Sequence, residues 1–278
     1  MNVEVSGEGP AIVALHGFTG NLSTWGPFIK AAQREYKVVA VDVLGHGASD
    51  APNDPRRYSM DKTVEDLVRV LDHFGIEHTW WLGYSMGGRI ALSAAVALTQ
   101  RTAGLMVESG SPGLATAKER DVRVKADEAL AKRIEGEGIE AFVDYWESLP
   151  MWASQKRLSQ KQRESLRTQR LKNSPVGLAN SLRGMGTGAQ PSLHNRLGEI
   201  RVPALFVAGR DDAKFASIAF DMHRAAPGSR LSIVREAGHA VHLEQPEVFN
   251  QTVVEFLRLV KMENGSEASP QARSPLSL

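Results

Sequence analysis

Along the first hundred residues, short unbroken apolar runs alternate with stretches of helical period. Residues 11–15 (AIVAL) and 37–43 (KVVAVDV) are rich in β-branched side chains and end in glycine-containing turns. Residues 79–82 (TWWL) and 105–107 (LMV) resemble them. Runs that are apolar at successive positions suit strands covered on both faces, as in a parallel sheet flanked by helices. Between them, residues 63–74 (TVEDLVRVLDHF) and 86–98 (MGGRIALSAAVAL) read as helices. Strands alternating with helices predict a doubly wound α/β architecture with a mostly parallel central sheet and right-handed crossovers.

The rhythm changes after Pro112. Residues 114–196 carry charged helical patterns, at 118–134, 139–149 and 160–171, and no strand pattern. Strand patterns return at 202–208 (VPALFVA) and 231–234 (LSIV), and an amphipathic helix is expected over 246–260. The expectation is one α/β domain over residues 1–262, with a helical cap inserted at about 114–196. A Ser-, Pro-, Gly- and Ala-rich tail, residues 263–278, is expected to be disordered.

Composition narrows the chemistry. Among 278 residues, 33 Lys+Arg against 32 Asp+Glu give a net charge of +1, which argues against a polyanion-binding protein. The chain has no cysteine, so disulfides, a cysteine nucleophile and thiolate-ligated metals are excluded. The N-terminal segment lacks the pattern of a signal peptide, and no stretch approaches the roughly 20 apolar residues of a membrane span. A cytoplasmic location is expected. No phosphate-cradling glycine motif is present, and no cofactor is expected.

Gly83-Tyr84-Ser85-Met86-Gly87 is a G-x-S-x-G sequence between a predicted strand and a predicted helix, the setting of a nucleophile elbow. A serine needs an adjacent imidazole to act as nucleophile or base. In this arrangement the acid and then the histidine follow in the chain. His239, in Ala237-Gly238-His239 after the last predicted strand, is the candidate; His242 competes but suits a structural hydrogen bond. A histidine pair at this spacing could suggest a metal, but no further ligand cluster accompanies it, so no metal is expected. Gly209-Arg210-Asp211-Asp212 offers two acids after the penultimate strand; its spacing selects Asp212, with Asp211 as the fallback. The loop His16-Gly17-Phe18-Thr19-Gly20 is expected to supply one oxyanion-hole N–H from Phe18, and Met86 the second. The Asp42-Val43-Leu44-Gly45-His46-Gly47 turn reads as structural. Together these elements resemble the α/β-hydrolase superfamily, which hosts many reactions, so fold does not give the reaction.

Arginines discriminate. Arg89, four residues after Ser85, shares a helix face with the nucleophile turn. A guanidinium there either meets an anionic substrate, or snorkels to solvent or pairs with a protein carboxylate. Residues 118–172 carry 13 Lys+Arg against 10 Asp+Glu, mostly as solvated helix faces.

Four segments, GYSMGGR (83–89), ESGSPGL (108–114), AFVDYWESLP (141–150) and GLANSLRGMGTGAQPSL (177–193), resemble one family: 2-succinyl-6-hydroxy-2,4-cyclohexadiene-1-carboxylate synthase of menaquinone biosynthesis. The resemblance implies a lyase that eliminates pyruvate from a tricarboxylate enolpyruvyl ether. It implies carboxylate clamps at Arg89, Arg123 and Arg170, with Arg167 as an alternative to Arg170. It also implies pocket roles for Tyr84 and Trp146, for which ordinary packing is the alternative. An esterase or carbon–carbon bond hydrolase, or a non-catalytic small-molecule receptor, would share the triad residues.

Overall fold

The computed structural model describes the backbone of residues 1–267. The apolar runs become the central strands: β2 (Ala11–Leu15), β3 (Lys37–Val41), β4 (Thr79–Tyr84), β5 (Thr102–Glu108), β6 (Ala204–Gly209) and β7 (Arg230–Val234). All of them pair in parallel, while a short β1 (Val3–Ser6) joins β3 antiparallel at the edge. The sheet order is β1-β3-β2-β4-β5-β6-β7. Every residue of β2, β4 and β6 is buried, as the unbroken apolar runs require of strands covered on both faces.

Helices α1 (Gly26–Ala32) and α9 (Pro246–Glu267) cover one face through Phe28, Phe249 and Val253. Helices α2 (Met60–His73), α3 (Met86–Ala97) and α7 (Ala213–Ala225) cover the other through Leu67, Ile90 and Met222. Between β5 and β6 the chain is helical: α4 (Ala117–Ser148), α5 (Gln160–Leu171), α6 (Pro175–Met185) and two 3-10 segments, Pro150–Arg157 and His194–Glu199. This cap has its own small core, in which Ala131, Ile134, Phe142 and Val143 pack on Leu178 and Leu182. A last short helix, α8 (Val241–Glu244), follows β7.

Several boundaries differ from the sequence reading. The run at 37–43 stops pairing at Val41, because the Asp42 carboxylate turns the chain by accepting from Leu22 N (2.7 Å) and Ala48 N (2.8 Å). The run at 79–82 continues through the glycine to Tyr84. The two cap helices expected at 118–134 and 139–149 are both present within α4, separated at Gly138, whose φ of 82° and ψ of 175° are not helical. Helix α9 continues to Glu267, past the boundary at 262, since extending an anchored helix costs far less than nucleating one; the Arg230–Glu263 ion pair (2.6 Å) ties this stretch to β7. The rest of the tail lies outside the described residues. The sequence pattern assigns no element to α1, α7, α8 or β1.

Candidate active site

The parallel register brings the C-terminal ends of β2, β4, β5 and β6 to one edge of the sheet, with Leu15 opposite Gly83, Tyr84 opposite Glu108 and Glu108 opposite Val207. Loops leaving this edge carry the candidate residues. Ser85 sits at the turn between β4 and α3 with φ 51° and ψ −105°, a strained conformation for a residue with a side chain. Its two flanking glycines are required by close approach. A Cβ on Gly83 would lie 2.1 Å from Gly87 O, and one on Gly87 would lie 2.0 Å from Leu15 O. The turn is pinned by Ser85 N–H donating to Glu108 O at 2.8 Å.

His239 arrives on the loop after β7 and is fully buried. Its Nε2 lies 2.9 Å from Ser85 Oγ and its Nδ1 lies 2.7 Å from Asp212 Oδ2. Asp212 is also the N-cap of α7, accepting from Phe215 N at 3.2 Å through its other oxygen. Burial alone would raise the Asp212 pKa. The hydrogen bond and charge of His239 and the Phe215 N–H outweigh it, so the carboxyl sits below its ordinary value. The neighbouring Asp211 points away and pairs with Arg157 of the cap at 2.7 Å. His242 is held elsewhere: its Nδ1 lies 3.0 Å from Oε1 of the buried Glu108, and its Nε2 lies 2.8 Å from Thr24 Oγ1. Among the described residues there is no group of three or more His, Asp or Glu side chains placed to hold a metal ion.

The loop after β2 passes close to the serine, since a Cβ on Gly17 would lie 3.5 Å from Ser85 Cβ. Met86 is the first residue of α3, so its N–H has no helical acceptor, and Phe18 occupies the turn after β2. No backbone carbonyl among the described residues accepts from either N–H. The Phe18 turn is braced from two sides. His16 Nδ1 donates to Gly17 O (2.8 Å) while its Nε2 accepts from Val43 N–H (3.0 Å), which assigns its tautomer. From the cap, the buried Asn173 donates to Thr19 O at 2.9 Å. Burial lowers the His16 pKa, and burial together with the neighbouring His16 lowers His46 to about 3, so both stay neutral and structural.

The arginines form two separate clusters. Arg89 donates through Nη1 to Met185 O (2.6 Å) and Gln190 Oε1 (2.9 Å). Burial and the charge of Arg123 push its pKa down to about 10 against the opposing pull of Asp127. Arg123 itself pairs with the buried Asp127 at 2.7 Å. Arg170 is buried over the Trp152 ring, 5.5 Å from its centroid, and donates to Glu147 (2.9 Å) and Gln155 (3.4 Å). With Phe18, Tyr84 and Trp152 it lines a cavity of about 30 Å³. Arg167 faces outward and binds Asp144 and Glu147. The two clusters have no hydrogen-bond partner in common among the described residues. Tyr84, whose phenol is held well above its usual pKa by burial and by Glu108, stacks at 5.5 Å from His239, and Trp146 packs on Phe18 at 5.4 Å.

Sequence reasoning passed over Asn173, Glu108, Trp152 and Gln155. Only Glu108 left a signal: a carboxylate ending an otherwise apolar strand.

An elbow serine, a buried imidazole and a capping aspartate on a mostly parallel sheet define an α/β hydrolase. A family model of the alpha/beta hydrolase fold matches residues 10–246, and the chain belongs to that family. A Bacillus subtilis (strain 168) protein, provisionally named a 2-succinyl-6-hydroxy-2,4-cyclohexadiene-1-carboxylate synthase, is 46% identical over 91% of this chain and 93% of its own. The synthase of that name from Serratia proteamaculans (strain 568) is 34% identical over 89% of this chain and 93% of its own. Among solved structures, MenH from S. aureus superposes with a TM-score of 0.89 at 35% identity, over 92% of this chain and 97% of that one. Within the fold, the chain belongs to the 2-succinyl-6-hydroxy-2,4-cyclohexadiene-1-carboxylate synthase family.

Proposed function

We propose that the protein is a carbon–oxygen lyase. It eliminates pyruvate from 2-succinyl-5-enolpyruvyl-6-hydroxy-3-cyclohexene-1-carboxylate to give 2-succinyl-6-hydroxy-2,4-cyclohexadiene-1-carboxylate, a step of menaquinone biosynthesis. The observation that carries the chemistry is the unbroken Ser85–His239–Asp212 hydrogen-bond chain; family membership carries the substrate. His239, its tautomer held by Asp212, takes the Ser85 proton. The serine oxygen then takes the proton on the ring carbon that bears the succinyl group, α to its ketone. Negative charge develops on the ketone oxygen, where the N–H groups of Phe18 and Met86 stabilise it. Electrons move round the ring, the bond to the enolpyruvyl oxygen breaks, and pyruvate leaves as its enolate, which is then protonated. Serine acts as a base throughout, so no acyl-enzyme forms.

The partner in this scheme is a small tricarboxylate. Arg89, Arg123 and Arg170 are its clamps, with Tyr84 and Trp146 shaping the pocket. Asp127 and Glu147 pair with two of those guanidiniums and would share or yield them to the substrate. The cap excludes water from the enolate. A cavity of about 30 Å³ is far below the roughly 300 Å³ of a small-molecule site, so the cap must open to admit the substrate. The test is pyruvate release from the enolpyruvyl substrate by pure protein. Stoichiometric pyruvate is expected; none, with fast hydrolysis of simple esters, would make the protein an esterase.

A further inference from the structure

The cap contains a group of buried N–H donors with nothing to donate to. Trp146 Nε1, Trp152 Nε1 and Gln155 Nε2 are all shielded from solvent and all without a hydrogen-bond partner. A buried donor left unpaired costs about as much as a lost hydrogen bond, and native interiors hold few of them. These three lie in one cluster. The Trp146 and Trp152 rings are 5.6 Å apart, the Arg170 guanidinium lies over Trp152, and Gln155 is bonded to Arg170.

The orientation of the Gln155 amide follows from its neighbour. Arg170 has only N–H groups to offer, so Oε1 must face it, and the NH2 end is left idle. The nearby Glu147 carboxylate does not accept from these donors either, since it is bound to Arg170 Nη1 and shared with Arg167.

Trp152, Gln155, Leu166 and Arg170 also stand between two spaces. They line the narrow cavity beside Phe18 and Tyr84, and they line an outer cleft of about 680 Å³ between α5 and the end of α4. That cleft has the volume of a ligand site. The Trp152 ring reaches the triad, 5.6 Å from the His239 ring.

We propose that Trp152 Nε1 and Gln155 Nε2, beside Arg170, form a carboxylate subsite at the partition between the outer cleft and the cavity over the triad, making these two side chains specificity-determining residues. The missing partner is an acceptor, because every idle group in the cluster is a donor. A carboxylate fits best, since it is an acceptor at both oxygens and the site already carries a guanidinium. The inference rests on the lyase reading for the identity of the natural ligand, and on geometry alone for the subsite. It divides the work between the clusters: one carboxylate is read by neutral N–H donors and Arg170 on the cap, and the Arg89–Arg123 pair is left for another.

The test titrates succinate, and as a neutral control succinamide, into the full-length parent and into the Trp152→Phe, Gln155→Leu and Gln155→Glu variants by calorimetry, with melting curves alongside. The parent should bind succinate and discriminate against succinamide. Trp152→Phe keeps the ring and loses the N–H, and Gln155→Leu keeps the bulk and loses the amide. Each should weaken succinate by about tenfold to a hundredfold, the value of a hydrogen bond to a charged group, and narrow the discrimination. Gln155→Glu places a carboxylate on Arg170, which holds the fold together while abolishing anion binding. In pyruvate release, the Trp152→Phe and Gln155→Leu losses should fall mainly on KM. Parent-like succinate binding in folded Gln155→Glu, or no succinate binding by the parent, overturns the subsite. Absence of pyruvate release by the parent counts against the lyase reading alone, because the titration does not depend on turnover.

Discussion

Asp212→Asn isolates what the acid contributes, because the carboxylate does two jobs with two oxygens. Oδ1 caps α7 at Phe215 N, and Oδ2 holds His239 Nδ1 at 2.7 Å. An asparagine has one oxygen. If it stays on Phe215, the amide NH2 faces His239 Nδ1, which must then accept. The proton moves to Nε2, and the imidazole can no longer take one from Ser85. In triads of this kind the wrong tautomer costs about ten-thousand-fold in kcat, or about 5–6 kcal/mol of transition-state stabilisation at 1.36 kcal/mol per decade. If instead the oxygen turns to His239, the cap of α7 is lost at about 1 kcal/mol, which lowers Tm by about 2–4 °C in a domain of this size. That second arrangement also sets the amide NH2 against Phe215 N–H, donor against donor, so the first arrangement, which satisfies both neighbours, prevails. Pyruvate release, followed by coupling to lactate dehydrogenase, should therefore drop by about ten-thousand-fold while the melting curve moves little. A variant that retains activity within tenfold of the parent would refute the assignment of Asp212 as the group that sets the tautomer.

Asp211→Asn should leave pyruvate release within about twofold and stability within about 1 kcal/mol, since its pair with Arg157 is exposed; a loss like that of Asp212→Asn would reverse the choice between the two aspartates. Ser85→Gly should abolish pyruvate release yet raise stability by about 1 kcal/mol, because glycine relieves the positive φ at the elbow and returns only part of that gain as chain entropy; a lower melting temperature would contradict it. Arg89→Ala should cut pyruvate release by about a hundredfold to two-hundredfold, from about 3 kcal/mol of a lost charged contact, and spare any hydrolysis of a neutral ester. Below pH 6.5 the protein should lose stability. His46 has its pKa lowered from 6.5 to about 3 in the fold, so its contribution is full above 6.5 and falls by about 1.4 kcal/mol per pH unit down to about 3; a His46→Gln variant should show a shallower loss in acid melts, and an unchanged slope would argue against a buried neutral His46.

The sheet was legible because its strands are covered on both faces and therefore read as solid apolar runs; Ala11–Leu15 is read to the residue. β1 was not, because its four residues alternate at a half-exposed edge and resemble any polar segment. The triad candidates were legible through chain order and a glycine-framed serine, features that the backbone imposes locally. The choice between Arg167 and Arg170 was not, since three residues on one helix decide which guanidinium turns inward, and only the packing of α5 on Trp152 and Glu147 settles that. Trp152 and Gln155 left no mark at all. An unpaired buried donor is a property of the assembled cap, where the sequence shows an ordinary Trp and Gln. The partners of Arg89, Arg123 and Arg170 within the protein, Met185 O and Gln190, Asp127 and Glu147, were equally silent in the sequence, because they come from separate segments brought together by the folded cap.

The most direct test of the central claim, that a serine activated for acyl transfer here removes a proton from carbon, is the isotope effect on pyruvate release when the carbon next to the succinyl ketone carries deuterium. The labelled position is the ring carbon that bears the succinyl group; pyruvate should still form, with kcat/KM reduced by a primary isotope effect that vanishes for deuterium placed on the methylene carbons of the succinyl chain. Equal rates for the labelled and unlabelled substrate, together with an ester-like adduct on Ser85, would contradict it.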